Sequence, residues 1–390
     1  MVGDLRIPQT LSRATVGVLL VLFGLLDSAS MSQDAPGKEP QYAVGEIKVP
    51  AAHANEQMIS KFSTSRALSY LDDGAVAWSE NYQCISCHTN GSYLAIRSSM
   101  AEYVGQPKPE IREFFVERMG DWEKEEGAKL MSGVVPTQLA YLAWSLAEWD
   151  KHVAKNRSDE TDRAIKLLMK SQSADGAFGN DKCWPPLESS DYHGATVAGM
   201  ACASAPGWIA DNQGTELGQQ YEKTVEFLKK TKPQNDYGVV LKLWASSRIE
   251  GLVEKKEKSE ILEMIFSHQK EDGGWAMRDF STPENWGDGI RAKKLRAEPG
   301  FKNPASDGHQ TGLCVLVLRE AGVPADDTRI KKAVKWILNN QRESGRWWTR
   351  SMNTDGSHYI TYSGTCYPLA ALAKCGQLDL HIGKSDPAKK

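Results

Sequence analysis

Two kinds of apolar pattern alternate along the chain. One recurs at helical spacing and leaves a charged face, as in KAVKWILNNQRESGRW at 332–347. The other is apolar almost all round and rich in small residues, as in TQLAYLAWSLA at 137–147 and TGLCVLVL at 311–318. A one-sided stripe suits a helix with a single face in the core, whereas an all-round apolar helix must be covered on most sides. Taken in order, the pattern predicts six helix pairs. The one-sided members fall near 57–71, 108–126, 158–171, 215–231, 256–268 and 327–340. The apolar members fall near 91–100, 136–149, 193–204, 237–248, 308–321 and 361–374. No alternating strand pattern stands out. One-sided helices outside and apolar helices inside close naturally into a ring around a central cavity. The expected fold is therefore all-α, a single α/α toroid over residues 57–376.

The junctions repeat too. RAIKLLMKSQSADGAF at 163–178 and ILEMIFSHQKEDGGW at 261–275 restate the 332–347 sentence. Each runs from an amphipathic helix to a glutamine, a glycine turn and an aromatic. Gly176, Gly273 and Gly345 can take the left-handed conformation that ends a helix. Phe178, Trp275 and Trp347 can then fold back, while the glutamine amide reaches backbone groups at the next helix start. Asp191, Asp236, Ser306 or Asp307, and Thr361 stand where the inner helices open, as polar caps. The loops 178–192 and 276–305 are longer than a plain connection needs, and loops of that kind often rim a site.

This repeat resembles the QW motif of squalene–hopene and oxidosqualene cyclases and, more broadly, the prenyltransferase repeat. Lys332, Ala333, Trp336, Ile337, Gln341, Gly345 and Trp347 carry it most fully. Arg163, Ala164, Leu167, Leu168, Gln172, Gly176 and Phe178 repeat it, and so do Gln269, Gly273 and Trp275. The resemblance implies the same toroid that the periodicity predicts. It carries less about chemistry. Cyclases of that type use two such barrels, and this chain has room for one. They protonate their substrate with the middle Asp of a DxDD motif, which is missing here. The paired acids are Asp72–Asp73 in LDDG and Asp326–Asp327 in PADDT, and there is no DDxxD.

Composition changes the picture at the N-terminus. Arg6 and Arg13 precede the apolar run TVGVLLVLFGLL at 15–26, and small residues follow at Ser28, Ala29 and Ser30. Twelve apolar residues are short for a membrane span and suit a signal peptide over 1–30, with an uncleaved anchor as the other reading. Residues 31–56 read as a flexible leader with Pro36, Pro40 and Pro50, and 377–390 as a polar tail. The mature protein is expected to be exported and periplasmic, with no stable membrane span after cleavage. A formal charge of −3 argues against nucleic-acid partners. Twelve tryptophans suggest stacking within the repeats or an aromatic cavity.

The first repeat departs from the others. After its outer helix comes Gln83 and then CISCH at 84–88. CxxCH is the attachment sequence for c-type haem: two thiols add to the vinyl groups, and the imidazole ligates iron. Cys84 and Cys87 are the expected anchors and His88 the expected iron ligand. A Cys84–Cys87 disulfide and half of a zinc site remain alternatives. Met100, Met131 and His53 are candidate distal ligands. Cys202, Cys314, Cys366 and Cys375 sit in apolar helical patterns and read as core residues.

A second constellation stands where inner helices begin: Asp191-Tyr192-His193, Asp307-Gly308-His309 and His358. Asp307, His309 and His358 resemble the layout by which protein prenyltransferases hold zinc, with His in place of Cys. Such a set can bind a divalent metal. Capping by Asp and local bonding by His is the plainer reading. Tyr192, Tyr359 and Tyr362 suit a pocket or a packed corner equally. The leading expectation is a haem-c-bearing toroid in electron transfer, acting with a hydrophobic small molecule or a redox partner protein. The alternatives are a terpenoid- or isoprenoid-processing enzyme using Asp307, His309 and His358, or a non-catalytic ligand-binding module.

Overall fold

The computed structural model describes residues 39–182, 184–353 and 359–378. The expected signal peptide, Cys183, His358 and the tail beyond 378 lie outside the described residues. The long helices are α1 (Thr64–Tyr82), α2 (Asn90–Ser99), α3 (Pro109–Trp122), α4 (Val135–Trp149), α5 (Asp159–Met169) and α6 (Asp191–Ser204). They continue with α7 (Glu216–Lys230), α8 (Asp236–Ser246), α9 (Lys255–Ser267), α10 (Gly308–Glu320), α11 (Thr328–Asn339) and α12 (Ile360–Lys374). The even-numbered helices form the inner wall. α2 packs on α4, α4 on α6, α6 on α8, α8 on α10 and α10 on α12, and α12 returns to α2. The odd-numbered helices lie outside them, each with one apolar stripe turned inward. The fold is thus the α/α toroid that the alternation implied. No helix among the described residues is long and apolar enough to cross a membrane.

The repeated junction works as a clasp to the following outer helix. Gly176, Gly273 and Gly345 all take φ near +93°, and each lies against the backbone of an outer helix at Lys223, Lys332 and Arg66. A Cβ would strike that backbone, so glycine is needed both for the turn and for the approach. Trp275 Nε1 donates to Ile265 O at 2.7 Å and Trp347 Nε1 to Ile337 O at 2.7 Å, satisfying carbonyls near the end of the preceding outer helix. The glutamine amides complete the clasp. Gln172 donates to Gln220 O on α7, Gln269 to Arg329 O on α11, and Gln341 to Ser63 O beside α1. Gln341 also accepts from Ser63 N at 2.7 Å. The last repeat is therefore stitched to the first.

Two expectations are corrected. Part of the segment 31–56, read as a flexible leader, is packed. β1 (Tyr42–Val44) and β2 (Ile47–Val49) form an antiparallel hairpin, with Tyr42 and Val49 buried. Its anchor is distant in sequence. Arg346, 1% exposed, donates to Glu56, Gln41 and the carbonyls of Pro50 and Ala51. Three-residue strands are too short to show a period, and nothing near the hairpin in sequence announces Arg346. The first outer helix is also displaced. Expected near 57–71, it is capped by Ser63 and runs to Tyr82. Asp72-Asp73-Gly74 looks like a break, yet Gly74 is the point where the helix meets the ring of Tyr362.

Candidate functional site at the mouth of the ring

The loop Cys84–His88 joins α1 to α2 at the N-terminal mouth of the inner ring. Gln83 ends α1 with φ 49°. Cys84 O then accepts from Trp78 Nε1 and from Asn90 Nδ2, both at 3.0 Å. Ser86 N donates to Asn90 Oδ1 at 2.8 Å, and Thr89 N donates to Ser86 Oγ at 3.0 Å. The loop is a tight turn whose polar groups are met partly within it and partly by Trp78. Cys84 is half-buried and a free thiol, so it is not bridged to Cys87. Gln138 Nε2 lies 2.8 Å from its sulfur, and burial pushes the thiol pKa up. Cys87 is buried.

His88 is enclosed by aromatic rings. Tyr359 stacks on it at 5.1 Å, Trp78 meets it edge-on at 4.7 Å and Trp184 lies at 5.2 Å. Tyr82, half exposed, stacks on Trp78 at 4.2 Å. Burial lowers the His88 pKa to about 3, so the imidazole is neutral. Nδ1 lies 3.0 Å from Thr89 Oγ1. Among the described residues no hydrogen bond reaches Nε2. A neutral imidazole with one nitrogen held and the other unclaimed has the donor chemistry of an axial ligand, with Cys84 and Cys87 four and one residues before it. The suggested distal ligands gather less well. Met100 closes α2 at its far end, about 15 Å along the helix. Met131 is exposed and His53 half-buried.

Asp307 and His309 are placed at the same mouth but are engaged with protein. Asp307 caps α10: Oδ1 accepts from Gln310 N at 2.9 Å and Oδ2 from Met277 N at 2.6 Å. Burial raises its pKa to about 6, against the lowering effect of those amides. His309 Nε2 meets Tyr237 OH at 3.0 Å, and Nδ1 meets Ser363 Oγ at 2.9 Å. His193 pairs likewise with Tyr141 OH at 3.1 Å. With both His309 nitrogens and both Asp307 oxygens taken, these side chains do not fit a zinc site as they stand. Among the described residues no group of three or more His, Cys, Asp or Glu could hold a metal ion. Ser190 and Asn235, rather than Asp191 and Asp236, cap α6 and α8. Tyr192 and Tyr362 are corner residues, donating to Leu228 O and Leu71 O, while Tyr359 belongs to the mouth.

Sequence reading missed the phenol–imidazole pairs and a cavity of about 210 Å³ beside Asp307. The cavity is walled by Phe301, Trp348, Arg278, Glu298 and Arg350. Glu298 is held by Arg278 at 2.5 and 2.8 Å. The only sequence signal was the length of the loop 276–305, which does rim this site. The loop 178–192 likewise brings Trp184 to His88.

Residues 234–377, the stretch from α8 to α12, match the family model described as squalene-hopene cyclase C-terminal domain. No curated protein matches. Among solved structures, the chain is similar to a variant of the type II terpene cyclase MstE from Scytonema in complex with geranylgeranyl dihydroxybenzoate. The identity is 14%, 80% of this chain and 98% of that chain are covered, and the TM-score is 0.44. Unliganded MstE gives 12% identity, coverage of 80% and 100%, and a TM-score of 0.44. A protein from Actinoplanes gives 10%, 74% and 90%, and 0.42.

Proposed function

We propose that this protein receives an isoprenoid-class hydrophobic molecule at the mouth of its ring and processes it with Asp307 as the acid. One observation carries the reading: the stretch that matches the squalene-hopene cyclase C-terminal family model also supplies Asp307 and the rings of Phe301 and Trp348 around one cavity. A buried carboxyl with a pKa near 6 keeps its proton closer to neutral pH than an exposed one does. In the proposed step Asp307 gives that proton to an alkene carbon. The C=C electron pair forms the new C–H bond, and the adjacent carbon becomes cationic beside the aromatic faces. A cavity of about 210 Å³ suits a short isoprenoid segment rather than a long chain folded whole. His309, with both nitrogens bonded to Tyr237 and Ser363, takes no part in this step.

The test is incubation with linear polyprenoids of increasing length, followed by mass spectrometry. Product is expected with the wild type and about 100-fold less with Asp307→Asn. Because the protonated acid is the active form, the rate should fall as pH rises past about 6. Unchanged polyprenoid at every length would overturn the reading.

A second reading is favoured by the unclaimed Nε2 of His88. Here Cys84 and Cys87 would anchor a haem c, each sulfur bonding one vinyl carbon and each thiol hydrogen passing to the other, and His88 would hold the iron. A haem bound there would supply one-electron chemistry, exchanged with a redox partner protein after export to the periplasm. Protein matured in a host that attaches haem should show a Soret band that survives denaturation and is lost in Cys84→Ala/Cys87→Ala. A colourless product overturns this reading without touching the first.

A further inference from the structure

We infer that Thr89 selects the ligating nitrogen of His88, and that Tyr42, on the N-terminal hairpin, is the positioning residue that holds Thr89 to the task. Thr89 occupies the N-cap position of α2, where a threonine hydroxyl ordinarily accepts from a backbone amide of the first turn. It makes no such bond. Its oxygen instead lies 3.0 Å from His88 Nδ1 and 3.2 Å from the Tyr42 hydroxyl. Thr89 is wholly buried and Tyr42 is 2% exposed, so water does not substitute for either partner. A capping group has been diverted to an imidazole.

The consequence is a choice of tautomer. Neutral His88 carries one N–H. When Nδ1–H donates to the Thr89 oxygen, Nε2 keeps its lone pair, the form a metal ligand needs. When Thr89 donates to Nδ1, the hydrogen sits on Nε2 and the lone pair is lost to ligation. In the first arrangement Nδ1–H donates to the Thr89 oxygen and the Thr89 hydrogen can go to the Tyr42 oxygen, so the buried hydroxyl is satisfied on both sides. Tyr42 is itself set by the far end of the chain. The adjacent Gln41 and the carbonyls of Pro50 and Ala51 accept from Arg346, immediately before Trp347 of the last repeat. Closure of the ring is thereby passed through the hairpin to His88.

The purpose of this device rests on the haem reading, but its test does not. Haem-free protein labelled with ¹⁵N-histidine would be examined by long-range proton–nitrogen correlation, with His88 assigned by its loss in His88→Gln. The wild type is expected to show the hydrogen on Nδ1. Thr89→Val should move it to Nε2, Thr89→Ser should restore it, and Tyr42→Phe should give a mixture. A hydrogen on Nε2 in the wild type would overturn the inference even if no variant folds. So would an unchanged tautomer in folded Thr89→Val. Absence of a Soret band in the loaded protein leaves this result standing and removes the haem reading alone.

Discussion

The first junction of the ring and the last have opposite designs. At the last, Gln341 and Gly345 spend their polar groups and close approach on the next outer helix, at Ser63 and Arg66, while Trp347 bonds back to Ile337 of the helix before it. At the first, Cys84, Ser86, Thr89 and Asn90 bond largely to one another, with Trp78, Gln138 and Tyr42 added around them, and the rings gathered there surround a single imidazole. A junction that only closes the ring gains by bonding outward. One that bonds inward and presents an unclaimed nitrogen is shaped for something else. The largest expected effect comes from breaking the outward design at its tightest point. Gly345→Ala needs a side chain at φ 93° and places its Cβ against the backbone of Arg66 and Ala67. It should cost about 4 kcal/mol, read by chemical denaturation, while His88 keeps its tautomer in whatever fraction remains folded.

The next effect tests how far the last junction reaches. Arg346→Ala removes the guanidinium paired with Glu56, whose side chain is only 12% exposed, and leaves it Ser344 N and the more distant Arg342 charge. A loss of about 3 kcal/mol is expected. Hydrogen exchange should rise first at 41–52, because the hairpin loses the donors to Gln41, Pro50 and Ala51. Exchange that rises uniformly around the ring would mean the hairpin is not a separate reporter.

Asp307 gives an effect of similar size whose sign depends on pH. Its folded pKa is raised from 3.8 to about 6, so the folded state holds the proton more tightly than the unfolded chain. The contribution to stability is therefore fully present below about pH 4 and is lost as pH rises to about 6. The loss is on the order of 3 kcal/mol. Asp307→Asn keeps a capping oxygen and removes the titration, so its stability should stay flat across that window. A wild type that is equally flat would mean the carboxyl is ionised throughout, and the acid role would fall with it.

How much of this was readable from the sequence follows from where each partner lies. The toroid was readable because Gln, Gly and an aromatic recur at fixed spacing, and because TGLCVLVL can only be an inner helix. CISCH was readable as a local motif. Arg346 with Glu56, Tyr42 with Thr89, and Tyr237 with His309 were not, because each pair is brought together by ring closure or by neighbouring repeats. Asp307 and His309 stand together because both open one inner helix, which the local pattern reads. Their saturation by Met277 N, Gln310 N, Tyr237 and Ser363 was not readable, since backbone amides leave no mark in sequence.

The smallest expected effects separate the two glutamines. Gln341 donates to Ser63 O and Gly345 O and accepts from Ser63 N, all within a buried amide. Gln341→Ala should cost about 2 kcal/mol by leaving the Ser63 groups unpaired. Gln83 looks like its counterpart, but its amide reaches only Ser79 O and Glu80 O of its own helix, and the residue is exposed. It holds φ 49°, a left-handed conformation that Gln172, Gln269 and Gln341 do not take. Gln83→Gly relieves that conformation while giving the unfolded chain more freedom, so the two contributions oppose each other. The net change should lie within about 0.5 kcal/mol of zero, read as an unchanged denaturation midpoint. A loss comparable to that of Gln341→Ala would show that the first junction also clasps the ring through its glutamine, and the contrast between the two designs would then rest on CISCH and Thr89 alone.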